Sequence, residues 1–269
     1  MFSLGRRPSI RSWRQFEQKV RYKNHNLLKR LDEFPNSILV AGCQRSGTTA
    51  LARIITKSDG IVNYWFGRDD ELAAALILSG HAHHKPKGRY CFQTTYLNNS
   101  YHEYFEHSDY KLVWVLRNPF SVVFSMLHNW RRGALNRLFK SCGASLLSED
   151  ERKRFDRFGP LVISRLRRAC LAYNAKTSQI FELTKDMSIH RLMIIDYADL
   201  VTNAQCILPA IYAFINLEYK EQYAQMIHRD SVHKISHQSK RESSLVESLC
   251  LPIYLNARTT LSKTNIRHR

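Results

Sequence analysis

Ser37-Ile-Leu-Val-Ala-Gly-Cys-Gln-Arg-Ser-Gly-Thr-Thr-Ala50 reads as a short apolar strand running into a glycine-bounded loop and then into a helix. Gly42 and Gly47, with four residues between them and followed by Thr48 and Thr49, keep the spacing of a phosphate-binding loop. In such a loop, successive backbone N–H groups and the N-terminus of the next helix cradle an anion. A nucleotidase carries a lysine after the second glycine, which reaches the β- and γ-phosphates. Here that residue is Thr48, and the nearest cation is Arg45, inside the loop. An anion belongs in this loop, and a triphosphate is poorly served by it.

A second strand-to-helix unit lies at Lys111-Leu-Val-Trp-Val-Leu-Arg-Asn-Pro-Phe-Ser-Val-Val-Phe-Ser-Met-Leu-His128. Leu112 to Leu116 form the continuous apolar run expected of a parallel strand covered on both faces. Arg117 emerges at the carboxyl end of that strand, and Pro119 suits the first turn of a helix. Ser121, Ser125 and His128 follow at spacings of four and three, along one helical face. This arrangement lets Arg117 and Ser125 grip one anion together.

The ordered pair of segments resembles the 5′-phosphosulfate loop and the 3′-phosphate motif of sulfotransferases that use 3′-phosphoadenosine 5′-phosphosulfate (PAPS). Met193-Ile-Ile-Asp-Tyr-Ala-Asp-Leu-Val201 is similar to the family's later strand and its "YEDL"-like continuation, with Ala198 where an acidic residue is common. The resemblance is to the soluble bacterial type, of which the cyanobacterial saxitoxin-type natural-product enzymes are an example. It implies an α/β, P-loop-like fold with a mostly parallel central sheet flanked by helices. It also implies PAPS as sulfuryl donor and the bisphosphate PAP as product. Arg45 would then contact the 5′-phosphosulfate and stabilise the leaving oxygen. Backbone N–H groups and hydroxyls across Ser46, Gly47, Thr48 and Thr49 would hold the 5′-phosphate, and Arg117 and Ser125 the 3′-phosphate. Tyr197 would border the adenine or belong to the core. Ser236-His-Gln-Ser-Lys-Arg241, with Ser239, Lys240 and Arg241, is the candidate for a basic loop closing over the cofactor, or an ordinary polar loop, and it lacks the usual glycine-rich form.

The general base departs from the cytosolic branch of the family, whose histidine lies in a "KTHLP"-like segment. The corresponding stretch here is Phe92-Gln-Thr-Thr-Tyr-Leu97, with Gln93 in place of the lysine and Thr95 in place of the histidine. Other branches use a glutamate after the helix and strand that follow the phosphate loop, and Asp69, Asp70 and Glu71 stand near that place. Adjacent carboxylates raise one another's pKa and can leave one poised as a base. Acidic residues are equally at home in the first turn of a helix, where they oppose its dipole. Within the functional reading Asp70 and Glu71 are favoured over Asp69. His81, His83 and His84 read as a solvated loop, because sulfuryl transfer needs no metal and no carboxylate or cysteine stands at metal-ligand spacing beside them.

The 269-residue chain is long enough for one substantial α/β core, and no linker divides it, so residues 1–269 read as a single domain. Residues 1–34 form a basic helical extension and residues 229–269 a cofactor-covering loop and tail. The formal net charge is +18, and residues 1–30 alone carry nine Lys/Arg against one Glu. Such a field attracts anions, PAPS included, but the basic residues are not interleaved with aromatics as in a nucleic-acid module. Six scattered cysteines without a CxxC pair read as buried thiols of a reducing compartment. No stretch approaches the length of a membrane span and no signal-peptide core is present, although residues 3–14 have some transit-peptide flavour. A cytoplasmic sulfotransferase of a small-molecule hydroxyl or amine is the resulting expectation. The acidic Asp69–Glu71 cluster would suit a cationic acceptor, whereas the net charge would suit a polyanionic glycan; a P-loop kinase and a basic nucleic-acid-binding protein are the alternatives from other classes.

Along the chain, hydrophobic periodicity and breaker residues predict a helical start over Trp13 to Leu31, strands at Ile38–Ala41, Ile61–Trp65, Leu112–Leu116 and Arg191–Asp196, and a strand or loop at Tyr90–Leu97. Helices are expected at Thr49–Thr56, Glu71–Leu78, His102–Ser108, Leu161–Thr184 and Leu208–Ile215. The His- and Ser-rich stretch Ser231–Ser244 reads as a loop over the site.

Overall fold

Four strands, β1 (Ser37–Gly42), β2 (Cys91–Gln93), β3 (Tyr110–Leu116) and β4 (Leu192–Asp196), pair in parallel in the order β2-β1-β3-β4. They are seen in a computed structural model that describes residues 9–23, 26–67, 69–227 and 239–266, with side chains as far as Leu261. Ten α-helices lie among the described residues: α1 (Trp13–Lys19), α2 (Thr48–Thr56), α3 (Asp70–Leu78), α4 (Pro119–His128), α5 (Arg132–Ser141), α6 (Glu149–Phe158), α7 (Arg165–Asp186), α8 (Tyr197–Thr202), α9 (Ala204–Phe214) and α10 (Lys240–Ile266).

Every strand residue except Lys111 is buried, which is why the strands are continuously apolar rather than alternating. Successive side chains serve opposite faces. Leu39, Ala41, Phe92, Leu112 and Trp114 face a core completed by α1, α3, α4, α5, α7 and α10. Ile38, Val40, Val113, Val115 and Ile195 face a second core completed by α2, α8 and α9. The α/β reading with a parallel, helix-flanked sheet is thus what the chain adopts.

Several elements differ from expectation. Ile61–Trp65 is extended, but it makes only an isolated bridge, Ile61 to Arg89, and forms no strand. The basic start is one short α-helix followed by a 3-10 turn at Arg21–Lys23, not a helix to Leu31. The long helix begins at Arg165 rather than Leu161, and buries Cys170, Tyr173, Ile180 and Leu183 as its period requires. Residues 231–238 of the expected loop lie outside the described residues, and the segment from Lys240 is the start of α10. Val246, Cys250, Tyr254, Ala257 and Leu261 are buried at spacings of four and three and dock α10 on α7 and α4.

The connection after β1 leads to β2 on one side and the next crosses back to β3 on the other. The carboxyl ends of β1 and β3 therefore flank a switch point, the place where open parallel sheets hold ligands.

Candidate functional site

At the end of β1 the backbone turns sharply. Gly42 adopts φ 149°, and a Cβ there would stand 2.5 Å from the carbonyl oxygen of Val115 on β3. Arg45 is held at φ 72° and Gly47 at φ 101°. The left-handed conformation costs a non-glycine residue about 1–2 kcal/mol, and strain of this kind is typical of a loop shaped for a ligand. Gly47 is the N-cap of α2 and offers no side-chain cap. The first N–H groups of the helix are thereby left outside its ladder. Ser46 differs from the expectation for it: its N–H is taken by the Cys43 carbonyl at 3.1 Å, and its hydroxyl is buried in the protein. Gly47, Thr48 and Thr49 line the cavity.

Arg117 leaves β3 toward the same place. The Tyr173 hydroxyl donates to its carbonyl at 2.9 Å, and Asn118 caps α4, whose first residue is Pro119. The Arg117 guanidinium lies over the Tyr197 ring, 4.4 Å from its centroid, and Nη1 donates to the Arg45 carbonyl at 3.3 Å. Arg45 Nε donates to Ser125 Oγ at 2.9 Å. Arg45, Arg117 and Ser125 thus meet, as the sequence suggested for the last two. Burial lowers the pKa of both guanidiniums, and for Arg117 the neighbouring Arg45 charge adds to the effect. An anion between them would relieve both costs.

Tyr197 packs behind the loop, in the core place that was one of its two readings. It is buried, and its ring would be 2.2 Å from a Cβ placed on Gly47. Of the face Ser121–Ser125–His128, the two serines line the cavity, whereas His128 packs against Phe124 with the rings tilted and faces Glu242 of α10 at 3.7 Å. Ser239 forms a capping box with Glu242 at the start of α10, and Lys240 and Arg241 are exposed on its first turn. None of the three borders the cavity.

The cavity enclosed by these groups measures about 290 Å³ and continues to Gln93, Thr95 and Glu71. The acidic triplet divides here. Asp69 is the N-cap of α3, accepting from Leu72 N–H at 2.9 Å and from Trp13 Nε1 at 2.7 Å. Asp70 is buried in an ion pair with Arg53 at 2.7 Å. Glu71 alone of the three reaches the cavity. Gln93 Nε2 stands 3.3 Å from Glu71 Oε2, 3.1 Å from Thr48 Oγ1 and 3.3 Å from Thr95 Oγ1. Desolvation, with a smaller push from Asp69, raises the Glu71 pKa to about 8, although Lys176, Arg21 and the Tyr96 N–H oppose the shift.

The segment after β2 is pinned from behind by donors that the sequence did not reveal. Arg21 donates to the Tyr96 carbonyl and Gln179 to that of Asn98. Gln44 donates to Thr95 O at 3.1 Å, and buried Lys176 to Thr95 O and Leu97 O at 3.3 and 3.4 Å. Burial lowers the Lys176 pKa to about 8. With its carbonyls turned away, the segment presents the Tyr96 N–H to Glu71. No motif marks Lys176 or Arg21, because their role depends on a helix and a terminus folding back over a distant loop. Among the described residues no group of three His, Cys, Asp or Glu side chains is placed to hold a metal, and His84 packs against Phe34 and Tyr90. Five of the cysteines are buried and none is disulfide-bonded.

With this geometry in view, comparison with known proteins is direct. The family model described as "Sulfotransferase domain" matches residues 35–251. The chain is similar in fold to the sulfotransferase domain from the curacin biosynthetic pathway (15% identity, 86% of this chain and 98% of that one, TM-score 0.51). It is similar also to a sulfotransferase from Alicyclobacillus acidocaldarius (13% identity, 85% and 96%, TM-score 0.52). A third likeness is to the sulfotransferase STF9 from Mycobacterium avium (11% identity, 86% and 78%, TM-score 0.50). At these identities the likeness concerns fold. No curated protein matches the sequence significantly.

Proposed function

The chain belongs to the sulfotransferase-domain family, and from that premise we propose that it transfers a sulfuryl group from PAPS to a hydroxyl or amine of a small-molecule acceptor, all 269 residues serving one catalytic domain. One observation carries the reading: Arg45 from the loop after β1 donates to Ser125 of α4, and Arg117 from the end of β3 donates to the Arg45 carbonyl, in a cavity that the N-terminus of α2 and Glu71 also line. Two partly desolvated guanidiniums and a helix N-terminus suit a ligand with two phosphates, and they supply no Walker lysine for a triphosphate.

Gly47, Thr48 and Thr49 would hold the 5′-phosphate through their N–H groups, with the Thr49 hydroxyl on the same side. Arg117 and Ser125 would take the 3′-phosphate, and Arg45 would bridge toward the 5′ side. Lys240 and Arg241, near Ser125 through the His128–Glu242 contact, would add positive field rather than contact. PAPS supplies the sulfuryl group: as the acceptor heteroatom bonds sulfur, the bond from sulfur to the 5′-phosphate oxygen breaks and that oxygen keeps the electron pair. Arg45 and the helix N-terminus stabilise the charge that accumulates there. Glu71, in its carboxylate form, takes the acceptor proton, and Gln93 and Tyr96 N–H hold it in place. Most of the rate would come from positioning and electrostatics, as in phosphoryl transfer.

Thermal shift with PAP, AMP and ATP tests the donor assignment, since a ligand of the folded state raises its melting temperature. PAP alone should stabilise, and Arg117→Ala should weaken its binding more than tenfold. Equal stabilisation by ATP, or an unchanged response in Arg117→Ala, would sink the assignment.

A further inference from the structure

The turn between α6 and α7 carries apolar side chains that the core does not take: Phe158, Leu161 and Val162 are 62%, 80% and 42% exposed. They do not project from a loose loop. Gly159, at φ 76°, ends α6, and Pro160–Val162 is a 3-10 turn closed by the Ile163 N–H on the Pro160 carbonyl at 3.3 Å. Ile163 is buried with Phe139, Ala144 and Leu171, and Phe155 packs on the same small core from the other side of the turn. Fixed at both ends, the turn holds its three apolar side chains outward. Tyr22, 64% exposed, shares with Pro160 a cleft of about 230 Å³ between α1, α5 and this turn. The rim of the tip is basic. Arg154 and Arg157 on the second half of α6, and Arg14 and Lys140 at the cleft, are exposed and have no ion-pair partner among the described residues. The nearby carboxylates are compensated or distant: Glu17 lies 3.6 Å from both Arg21 and Arg137, Glu149 meets Lys153, and Glu151 meets Arg167. Asp150 stands in the first turn of α6, and the helical period puts Asp156 on the side away from Phe158.

We propose that this tip is a docking face for a bilayer surface rich in anionic phospholipid. Single exposed apolar side chains are ordinary, but several held together on a rigid turn mark a contact surface, and the basic rim selects the occupant by charge. Phe158, Leu161 and Val162 enter the boundary between headgroups and acyl chains, where they gain the burial that water denies them. Arg14, Lys140, Arg154 and Arg157 lie at the level of the lipid phosphates, and each strengthens binding about fivefold. A nucleic acid or an acidic polysaccharide would meet the charges but offers no apolar layer to Leu161 and Phe158. No helix among the described residues is long and apolar enough to cross a membrane, so the contact is with its surface. The inference does not depend on the sulfuryl-transfer reading.

The test is co-sedimentation of the full chain with vesicles of phosphatidylcholine alone and of equal parts phosphatidylcholine and phosphatidylserine. The unaltered protein should bind the phosphatidylserine vesicles at least about tenfold tighter, and added salt should weaken that binding by screening. Phe158→Ser/Leu161→Ser keeps the net charge of +18 and should weaken binding at least about tenfold, with the melting temperature unchanged because both side chains face solvent. Leu161→Ser alone should lie between and guards against a double variant that does not fold. Arg154→Gln/Arg157→Gln should weaken binding to the phosphatidylserine vesicles about 25-fold. Undiminished binding of both serine variants would reduce the effect to the general attraction of a cationic chain and overturn the proposal. Equal binding to the two kinds of vesicle, or binding to neither, overturns it as well. Self-association without lipid that the serine variants abolish would assign the face to a second copy of the chain instead.

Discussion

Glu71 carries opposite consequences for catalysis and for stability. Its carboxylate form is the useful one, so kcat/KM should rise with pH and level off above about 8, the value to which burial lifts it. Glu71→Gln should lower kcat by about 10²–10⁴-fold and flatten that profile, with PAP affinity unchanged. A steady-state pH series on both proteins decides the matter; an unaltered profile in the variant would exclude Glu71 as the base. What the sequence could and could not disclose is plain at this scale. Arg45, Thr48, Arg117 and Ser125 were legible because loop spacing and strand ends fix where they emerge. The choice among Asp69, Asp70 and Glu71 was not legible, since it depends on the direction each takes from the first turn of α3. Asp69 caps, Asp70 meets Arg53 on α2, and only Glu71 turns inward. Ser46 differs from its expectation for the same reason, since position in a loop does not say which way a residue's groups turn, whereas for Tyr197 the sequence left a core place open and the side chain is buried.

The joint between the phosphate loop and α8 shows how elements hold that geometry. Tyr197 opens α8 at the end of β4, packs on Gly47 and lies under Arg117, so one ring sets both the loop and the guanidinium. Gly47→Ala would force a Cβ to 2.2 Å from that ring at φ 101°. Overpacking and left-handed strain together should cost about 2–5 kcal/mol. Urea denaturation should show the loss as a lower midpoint at unchanged slope, and a wild-type midpoint would mean that Tyr197 moves aside freely. Elements with a strong apolar period, β1, β3, β4 and α7, could be read from the sequence because burial on two faces or one stripe dictates their pattern. Other elements were not read. In α10 the buried stripe is thinly spread through a polar sequence with Pro252 inside it, α6 is dominated by charged residues, and α5 buries only Leu135, Leu138 and Phe139. Ile61–Trp65 has the composition of a strand, yet it finds only one bridge, at Arg89.

Across the molecule, half-buried Glu71 and buried Lys176, on opposite sides of one loop, tie its stability to pH. Glu71 has its pKa raised from 4.5 to about 8, so the unfolded chain ionises first as pH rises, and the stability this group gives at low pH is lost between those values. Lys176 has its pKa lowered from 10.5 to about 8, so the unfolded chain holds its proton longer, and stability is regained as pH rises from about 8 to 10.5. The two contributions leave a minimum near pH 8, where a charged glutamate and a charged lysine are each costly to bury and their mutual attraction offsets only part of that cost. Comparing melting temperatures of wild type and Glu71→Gln/Lys176→Met from pH 4 to 10.5 isolates these groups from the other titrating residues. The double variant should gain most, relative to wild type, near pH 8, and that gain should shrink toward both ends of the range. A difference that does not vary with pH would mean that both side chains reach solvent and keep ordinary pKa values, in which case Glu71 could not be the poised base that this arrangement of α3, α7 and the segment after β2 otherwise creates.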